Sequence, residues 1–511
     1  MLLAGLGLWL GLVMLRCAWI SDDAYITLRS VDNLVHGLGP TWNAGERVQS
    51  FTHPLWMGLL AIPYALTEEA FYTTLVTSLV VSAGFLVLFL RLHAKRFETK
   101  LLVLAVFLVS KSFIDYCTSG LENPLAHLLI ALGFYVYFED SAPRRRLFCF
   151  TLITALAACN RPDAVLLFAP AALHLSFGLW RERGLAKTLG TLCIGALPLI
   201  LWELFSVFYY GLLVPNTAYA KLNTGIPSAA LWQQGSTYLR ASFLSDPIGL
   251  GTLVLGLLAG LVTRGQRAIG LGLCLHLAYV LSVGGDFMVG RQFTASIVLA
   301  LLLLVRGPFL RSWVLGAGLL ACAVVGLVHP SSPLRAGRDY GVALVERSYG
   351  KGVVDERAVY FPTNGMLRLF DEEHEWATGG RRARRQAERM TQRPVVVRGT
   401  VGMLGYFAGP RVHLIDELAL CDPLLARLPT QNSKRWRIGH FTRDLPAGYE
   451  LTQASGVNQI EDPDLAASWD QLHLIISGEL WSWRRLTAIG EQLVGRHQAR
   501  LEAYLGRQRG Q

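Results

Sequence analysis

Ser21-Asp22-Asp23-Ala24-Tyr25-Ile26-Thr27-Leu28-Arg29 follows directly on an apolar run, residues 1–19. Ionisable side chains at the edge of hydrocarbon are costly and usually face a cavity. Two adjacent carboxylates at the end of a hydrophobic segment therefore mark where that segment leaves the membrane and where polar chemistry begins. Ser21 or Asp22 also suits the N-cap of a helix starting near Ala24, with the acids favoured by the helix dipole. Capping alone does not explain the other polar clusters farther along the chain.

The chain has 511 residues, 52% hydrophobic and 16% charged, with a mean hydropathy of +0.38. Soluble domains carry about a quarter charged residues. The deficit lies in residues 1–328, a series of apolar runs, whereas residues 330–511 are ordinary in charge and rich in Arg. This predicts a transmembrane domain over 1–329, with a first outward loop over 20–73, and a soluble domain over 330–511. Candidate spans are 1–19, 74–91, 101–114, 122–138, 147–159, 164–180, 188–208, 249–262, 268–283, 293–305 and 312–328. The first is read as a retained helix rather than a signal peptide, since it lacks a positive n-region and a clear cleavage site. Pro54–Leu66 is apolar but too short to span, and reads as re-entrant or interfacial.

Alternate loops differ in charge. Arg91, Lys95, Arg96, Lys100, Arg144–Arg146, Arg181, Arg183, Lys187, Arg264, Arg267, Arg306 and Arg311 crowd one set of short loops. The positive-inside rule places that set in the cytoplasm. The other loops and the soluble domain then face outward. The net charge of +10 is largely topological, so nucleic acid is not a partner. The Arg381–Arg385 cluster reads as a solvated helix face, with contact to anionic lipid headgroups or a phosphorylated substrate as the alternative. The eight cysteines show no CxxC spacing and no disulfide framework.

The outward loops hold nearly every polar cluster: Asp22 and Asp23; Trp42, Glu46 and His53; Glu122; Arg161 and Asp163; Asn216 and Lys221; Asp286 and Arg291. A shared outward cavity is the simplest account. Arg161 with Asp163 also suits a structural pair, Gly284-Gly285-Asp286 a tight turn, Tyr209-Tyr210 an interfacial belt, and His53 before Pro54 loop structure. In the soluble domain, Arg393–Val397 and Val412–Asp416 read as strands, and Arg381–Met390 and Leu486–Leu505 as helices. No nucleotide-binding glycine loop is present.

Ser21–Thr27, Gly37-Leu38-Gly39-Pro40-Thr41-Trp42-Asn43-Ala44-Gly45-Glu46-Arg47-Val48 and Thr52-His53-Pro54-Leu55-Trp56 together resemble the first outward loop of the mycobacterial terminal β-arabinofuranosyltransferases and their bacterial relatives. Ser119–Asn123, Arg161-Pro162-Asp163, Pro215-Asn216-Thr217 with Lys221, Gly285–Met288, Gly402–Tyr406, Asp416 and Cys421–Leu424 continue the likeness in order. The family pattern has Gly before its late Leu-Cys-Asp run, where this chain has Ala419.

The resemblance implies a mainly α, polytopic GT-C fold of about 11 transmembrane helices with a C-terminal mixed α/β extracytoplasmic domain. It implies a bacterial plasma-membrane enzyme that transfers a pentofuranose, D-arabinofuranose in the mycobacterial case, from a polyprenyl-phosphate donor. The acceptor is then a glycan, lipid or protein. Asp22 and Asp23 are the catalytic candidates, with Asp23 favoured for chemistry. Arg161, Lys221, Arg291, Asn216, Glu122 and Asp286 are candidates for binding the donor phosphate and sugar. Asp163, Trp42, His53, Asp416 and Asp422 are placed on the acceptor side. No cofactor is required, although Asp22 or Asp23 suits a divalent cation (Mg, Mn or Ca). Transfer of another lipid-linked sugar (mannose, glucose or aminoarabinose), or flipping of a lipid-linked sugar, are the alternative expectations.

Overall fold

A computed structural model describes residues 1–222, 224–336, 352–367, 372–431, 436–496 and 498–509. Each candidate span falls on a helix, but several helices are broken. Three are long and apolar enough to cross a membrane alone: Ala70–Leu92, Pro162–Arg183 and Ser312–Arg335. The stretch read as one span over 188–208 is two helices, Leu185–Gly195 and Leu197–Tyr210, bent by 60°. Pro198 in the first turn of the second helix has no N–H to continue the first helix's ladder.

The span expected over 101–114 likewise breaks at Ser110, between Phe97–Val109 and Lys111–Tyr116. Asp246 spans this break. It accepts from Ser110 Oγ and from the Ser112 N–H, and it caps Pro247–Val262 through the Gly249 N–H. Ahead of Asp246 lies Ser228–Ser245, a helix not read from the sequence, which meets Pro247–Val262 at 116°. Its apolar residues are diluted by Gln233, Gln234 and Arg240, which hides its periodicity.

Pro54–Thr67 is a short apolar helix that ends on a left-handed Glu68. Asp22–Val35 is amphipathic and capped by Ser21, whose Oγ accepts from the Ala24 N–H. One continuous apolar core runs from Leu10 through the bundle to Leu315 and Cys322.

The tail folds around two parallel strands, Val395–Arg398 and His413–Asp416, with Val396 opposite Leu414. The helix Gly402–Ala408 connects them and packs against Asp22–Val35. The Arg cluster lies on Glu375–Glu388 and is exposed. The single helix expected over 486–505 is instead Trp483–Leu493 and Gln498–Arg509. Gly495 between them has a φ of 74°, a left-handed conformation that ends a helix. Ala419, where the resembled pattern has Gly, also sits at a positive φ of 63°. All eight cysteines are free.

Candidate active site

Two close approaches assemble the site. Gly120 has a φ of 80°, and a Cβ there would lie 2.7 Å from the Ala24 Cβ. Only glycine lets residues 118–122 lie on the Asp22 helix and deliver Glu122 to it. From the other side, a Cβ on Gly402 would meet the Asp22 carbonyl oxygen at 2.0 Å. The soluble domain therefore rests directly on the first turn of that helix.

Glu122 is the hub. It is fully buried and pairs with Arg161 at 2.8 Å and with Arg291 at 3.3 Å. His53 Nδ1 lies 3.3 Å from it, and His53 Nε2 lies 2.8 Å from Thr27 Oγ1. Arg291 extends the network to Asp286 at 3.6 Å and to Asp23 at 3.9 Å. Arg161 is also held side-on by Asp163, through Nε at 3.0 Å and Nη2 at 2.9 Å, and Asp163 lies 3.3 Å from His276. Gln292 bridges Arg161 and Asp286. The sequence-predicted residues Asp23, His53, Glu122, Arg161, Asp163, Asp286 and Arg291 thus form one connected cluster. Lys221 is exposed, and its charge favours the ionised form of Asp23.

The two aspartates face different neighbours. Asp22 Oδ1 accepts from the Met403 N–H at 2.7 Å. Burial, with the adjacent Asp23 charge, pushes its carboxyl up to about 7 against the pull of that hydrogen bond. Asp23 keeps 31% of its side chain exposed and faces the cations. Burial raises its pKa; Arg291 and Lys221 oppose this, while Asp286 and Glu122 add to it. Burial holds His53 down at about 4, so its ring is neutral.

Glu356 belongs to the site and was not read from the sequence. It opens the helix Glu356–Asn364, in the tail. Its neighbours Asp355 and Arg357 turn into the membrane bundle, where Asp355 pairs with Lys111 at 3.0 Å and Arg357 with Asp115 at 2.7 Å. Lys111 also pairs with Asp115. Burial together with the charges of Asp23, Asp22 and Asp286 holds the Glu356 carboxyl well above the usual range, with Arg437 opposing. Asp355-Glu356-Arg357 reads in sequence as a solvated charged turn, so nothing local distinguishes it.

Trp42, Asn216, Asp416 and Asp422 lie outside this cluster. The Arg29 guanidinium stacks over Trp42 at 4.5 Å and donates to the carbonyls of Trp42, Gly405 and Val412. Asn216 donates to the carbonyls of Ala419, Leu420 and Asp422. Asp416 accepts from the Leu418 and Cys421 N–H groups. Asp422 accepts from Leu424, Leu425 and the Tyr449 hydroxyl. Trp42 Nε1 and Asn216 Oδ1 have no hydrogen-bond partner among the described residues, and the other contacts tie the first outward segment and Asn216 to the tail. Tyr210, expected in an interfacial belt, is also buried and donates to the Pro40 carbonyl.

Among the described residues, no three His, Cys, Asp or Glu side chains are placed to hold a metal ion. The acids of the cluster converge on arginines instead.

No family model matches the chain. It is 28% identical to the terminal beta-(1->2)-arabinofuranosyltransferase of Mycobacterium tuberculosis over 528 residues, 83% of this chain and 80% of that protein. It is 31% identical to the terminal beta-(1->2)-arabinofuranosyltransferase of Corynebacterium glutamicum over 325 residues, 54% of this chain and 46% of that protein. Crystal structures of ArnT from Cupriavidus metallidurans, one bound to undecaprenyl phosphate and one apo, superpose with TM-scores of 0.52 and 0.51. Both are 14% identical and cover 82% of this chain and 86% of ArnT. The chain is similar in sequence to these arabinofuranosyltransferases and shares the GT-C fold of ArnT. That GT-C fold makes it a multi-pass membrane protein and puts the acidic pair at the head of its helix bundle.

Proposed function

We propose that the protein is a glycosyltransferase that moves a pentofuranose, D-arabinofuranose, from a polyprenyl-phosphate donor to a cell-envelope glycan on the extracytoplasmic face of the bacterial inner membrane. The observation that carries this reading is the meeting of Asp23 with Arg291 and Glu122 at the start of the helix that follows the first apolar segment. The curated relatives named as arabinofuranosyltransferases support the sugar, and the loop charges support the side of the membrane.

In this reading the donor phosphodiester lies against Arg291 and Lys221. Arg161 is already engaged by Asp163 and Glu122, and it sets the position of the hub. The acceptor hydroxyl attacks the anomeric carbon, forming the new C–O bond as the bond from that carbon to the phosphate oxygen breaks. The hydroxyl proton passes to the Asp23 carboxylate. The departing polyprenyl phosphate gains negative charge, which the fixed cations stabilise where it develops. Asp22 anchors the helix to the Met403 amide. Glu356, whose carboxyl burial and the nearby acids hold above the usual range, is the candidate general acid.

The test is transfer from polyprenyl-phosphate arabinofuranose by the purified protein and its Asp22→Asn and Asp23→Asn variants. Loss of turnover in Asp23→Asn is expected. Near-normal turnover in both, with intact folding, overturns the assignment. Donors carrying mannose, glucose or aminoarabinose in the same assay test the choice of sugar.

A further inference from the structure

A second cavity, of about 330 Å³, opens on the opposite side of the Asp22 helix, between the Glu68 turn and the tail. Its volume is in the range of small-ligand sites. One wall is aromatic. Tyr25, Tyr406 and Phe407 lie with ring centroids 5.1 to 5.7 Å apart, and the Arg381 guanidinium stacks on Phe407 at 4.3 Å. The rim is acidic. Glu69 is spent on the N–H groups of Phe71, Tyr72 and Thr73, and Glu373 on Arg381 and Thr378. Glu68 and Glu372 are exposed and make no side-chain hydrogen bond or ion pair among the described residues. At the floor, Asn364 is 6% exposed. Its amide nitrogen donates to the Ile20 carbonyl at 3.3 Å and to Met403 Sδ, while its amide oxygen has no partner among the described residues.

This chemistry selects its ligand. Among the described residues the rim carboxylates outnumber the nearby cations, which disfavours a phosphate or an anionic headgroup. Exposed carboxylates and the Asn364 amide oxygen are acceptors, and they suit a ligand rich in hydroxyl donors. Flat aromatic faces suit the C–H faces of sugar rings. The cavity also adjoins the reacting centre. Met403 lines it and donates its N–H to Asp22, and Tyr25 lies one helical turn on from Asp22. The network of Arg161 and Arg291 with their acids therefore lies on the Asp23 side of this helix, and the aromatics with the rim carboxylates on the Asp22 side.

We propose that this cavity is the acceptor subsite, binding sugar units of a neutral glycan next to the unit whose hydroxyl reacts. The inference rests on the glycosyltransferase reading above and names the class of its acceptor.

The probe is a short neutral arabinofuranosyl oligosaccharide, titrated without donor into the detergent-solubilised full chain and followed by calorimetry. Undecaprenyl phosphate is titrated in parallel. Phe407→Ala is expected to weaken oligosaccharide binding about tenfold and Glu372→Gln about threefold, with undecaprenyl phosphate binding unchanged. Glu372 is exposed, so its variant tests the cavity without threatening the fold. Oligosaccharide affinity that is absent, or equal in all three proteins, overturns the proposal. So does a cavity that takes only calcium, seen as calcium binding lost in Glu372→Gln. If the variants weaken oligosaccharide binding while no arabinose donor supports transfer, the subsite stands and the donor assignment falls.

Discussion

Two buried ionic clusters lie within one residue of each other along the chain and differ in kind. Among the described residues, Lys111, Asp115, Asp355 and Arg357 pair with one another, with side chains only 1% to 5% exposed. Around Asp23, the acids Glu122, Asp163, Asp286 and Glu356 face Arg161, Arg291, Lys221 and Arg437, and Asp23 is 31% exposed. The first set is sealed. It costs desolvation and returns a fixed geometry, so its role is to hold the tail on the bundle. The second is open on one side, which leaves groups that a substrate can complete. Access separates a clamp from a reaction centre, even where both are buried.

Removing a cation from each cluster tests that distinction. Arg291→Ala leaves Glu122, Asp286 and Asp23 with less compensation, and turnover should fall about a hundred- to a thousandfold. Single-turnover kinetics read this directly, alongside a thermal melt to confirm folding. Arg357→Met removes the cation that pairs with the buried Asp115. It should cost about 3–5 kcal/mol of stability, measured by thermal unfolding in detergent. Asp115→Leu combined with Arg357→Met should recover part of that loss, because both partners of a buried pair are then apolar.

A third group of charges has no ionic partner at all. Asp416 and Asp422 are held by backbone N–H groups, and burial, the dominant cause, pushes both up to about 7. Raised carboxyl pKa values mean that the folded state binds protons the unfolded chain has released. Their contribution to stability is complete below pH about 4 and is lost as pH rises through about 7. Melting temperature followed over that range should decline, and Asp416→Asn should flatten the decline.

Ala419 and Lys221 give smaller effects. Ala419 holds a left-handed backbone that a Cβ disfavours, so Ala419→Gly should stabilise the protein by about 1 kcal/mol in the same melts. Lys221 is exposed, so Lys221→Gln should raise the KM for donor only about threefold, and added salt should shrink the difference.

Much of this arrangement is legible in the sequence, for physical reasons. Apolar runs long enough for a bilayer can only be helices there, so the bundle follows from composition. Polar groups confined to alternate loops must share a side, and Asp23, Glu122, Arg161, Asp286 and Arg291 do meet. The grouping fails where the partner is backbone. Asp416 and Asp422 look like site acids in a motif, yet their oxygens serve N–H groups a few residues away and, for Asp422, the Tyr449 hydroxyl, pairings no spacing rule distinguishes from catalysis. Glu356 was hidden for the opposite reason. Its surroundings are set by residues more than three hundred positions earlier, and locally it sits in an unremarkable charged turn. Hydropathy averages over a window, so it senses neither the side-chain capping at the Ser110 break nor the N–H that Pro198 lacks after Ala196.

The alternation at Asp355, Glu356 and Arg357 has a consequence for inheritance. The composition changes near residue 330, which invites the view that a membrane half and a tail could be exchanged between relatives. Here the tail supplies half of a charge clamp, a carboxyl at the reaction centre and the Met403 amide on Asp22. A chimera joined at that boundary would have to match all three at once. Substitutions at Lys111 or Asp115 would be tolerated only with compensating changes at Asp355 or Arg357, so the two halves are bound to evolve as one unit.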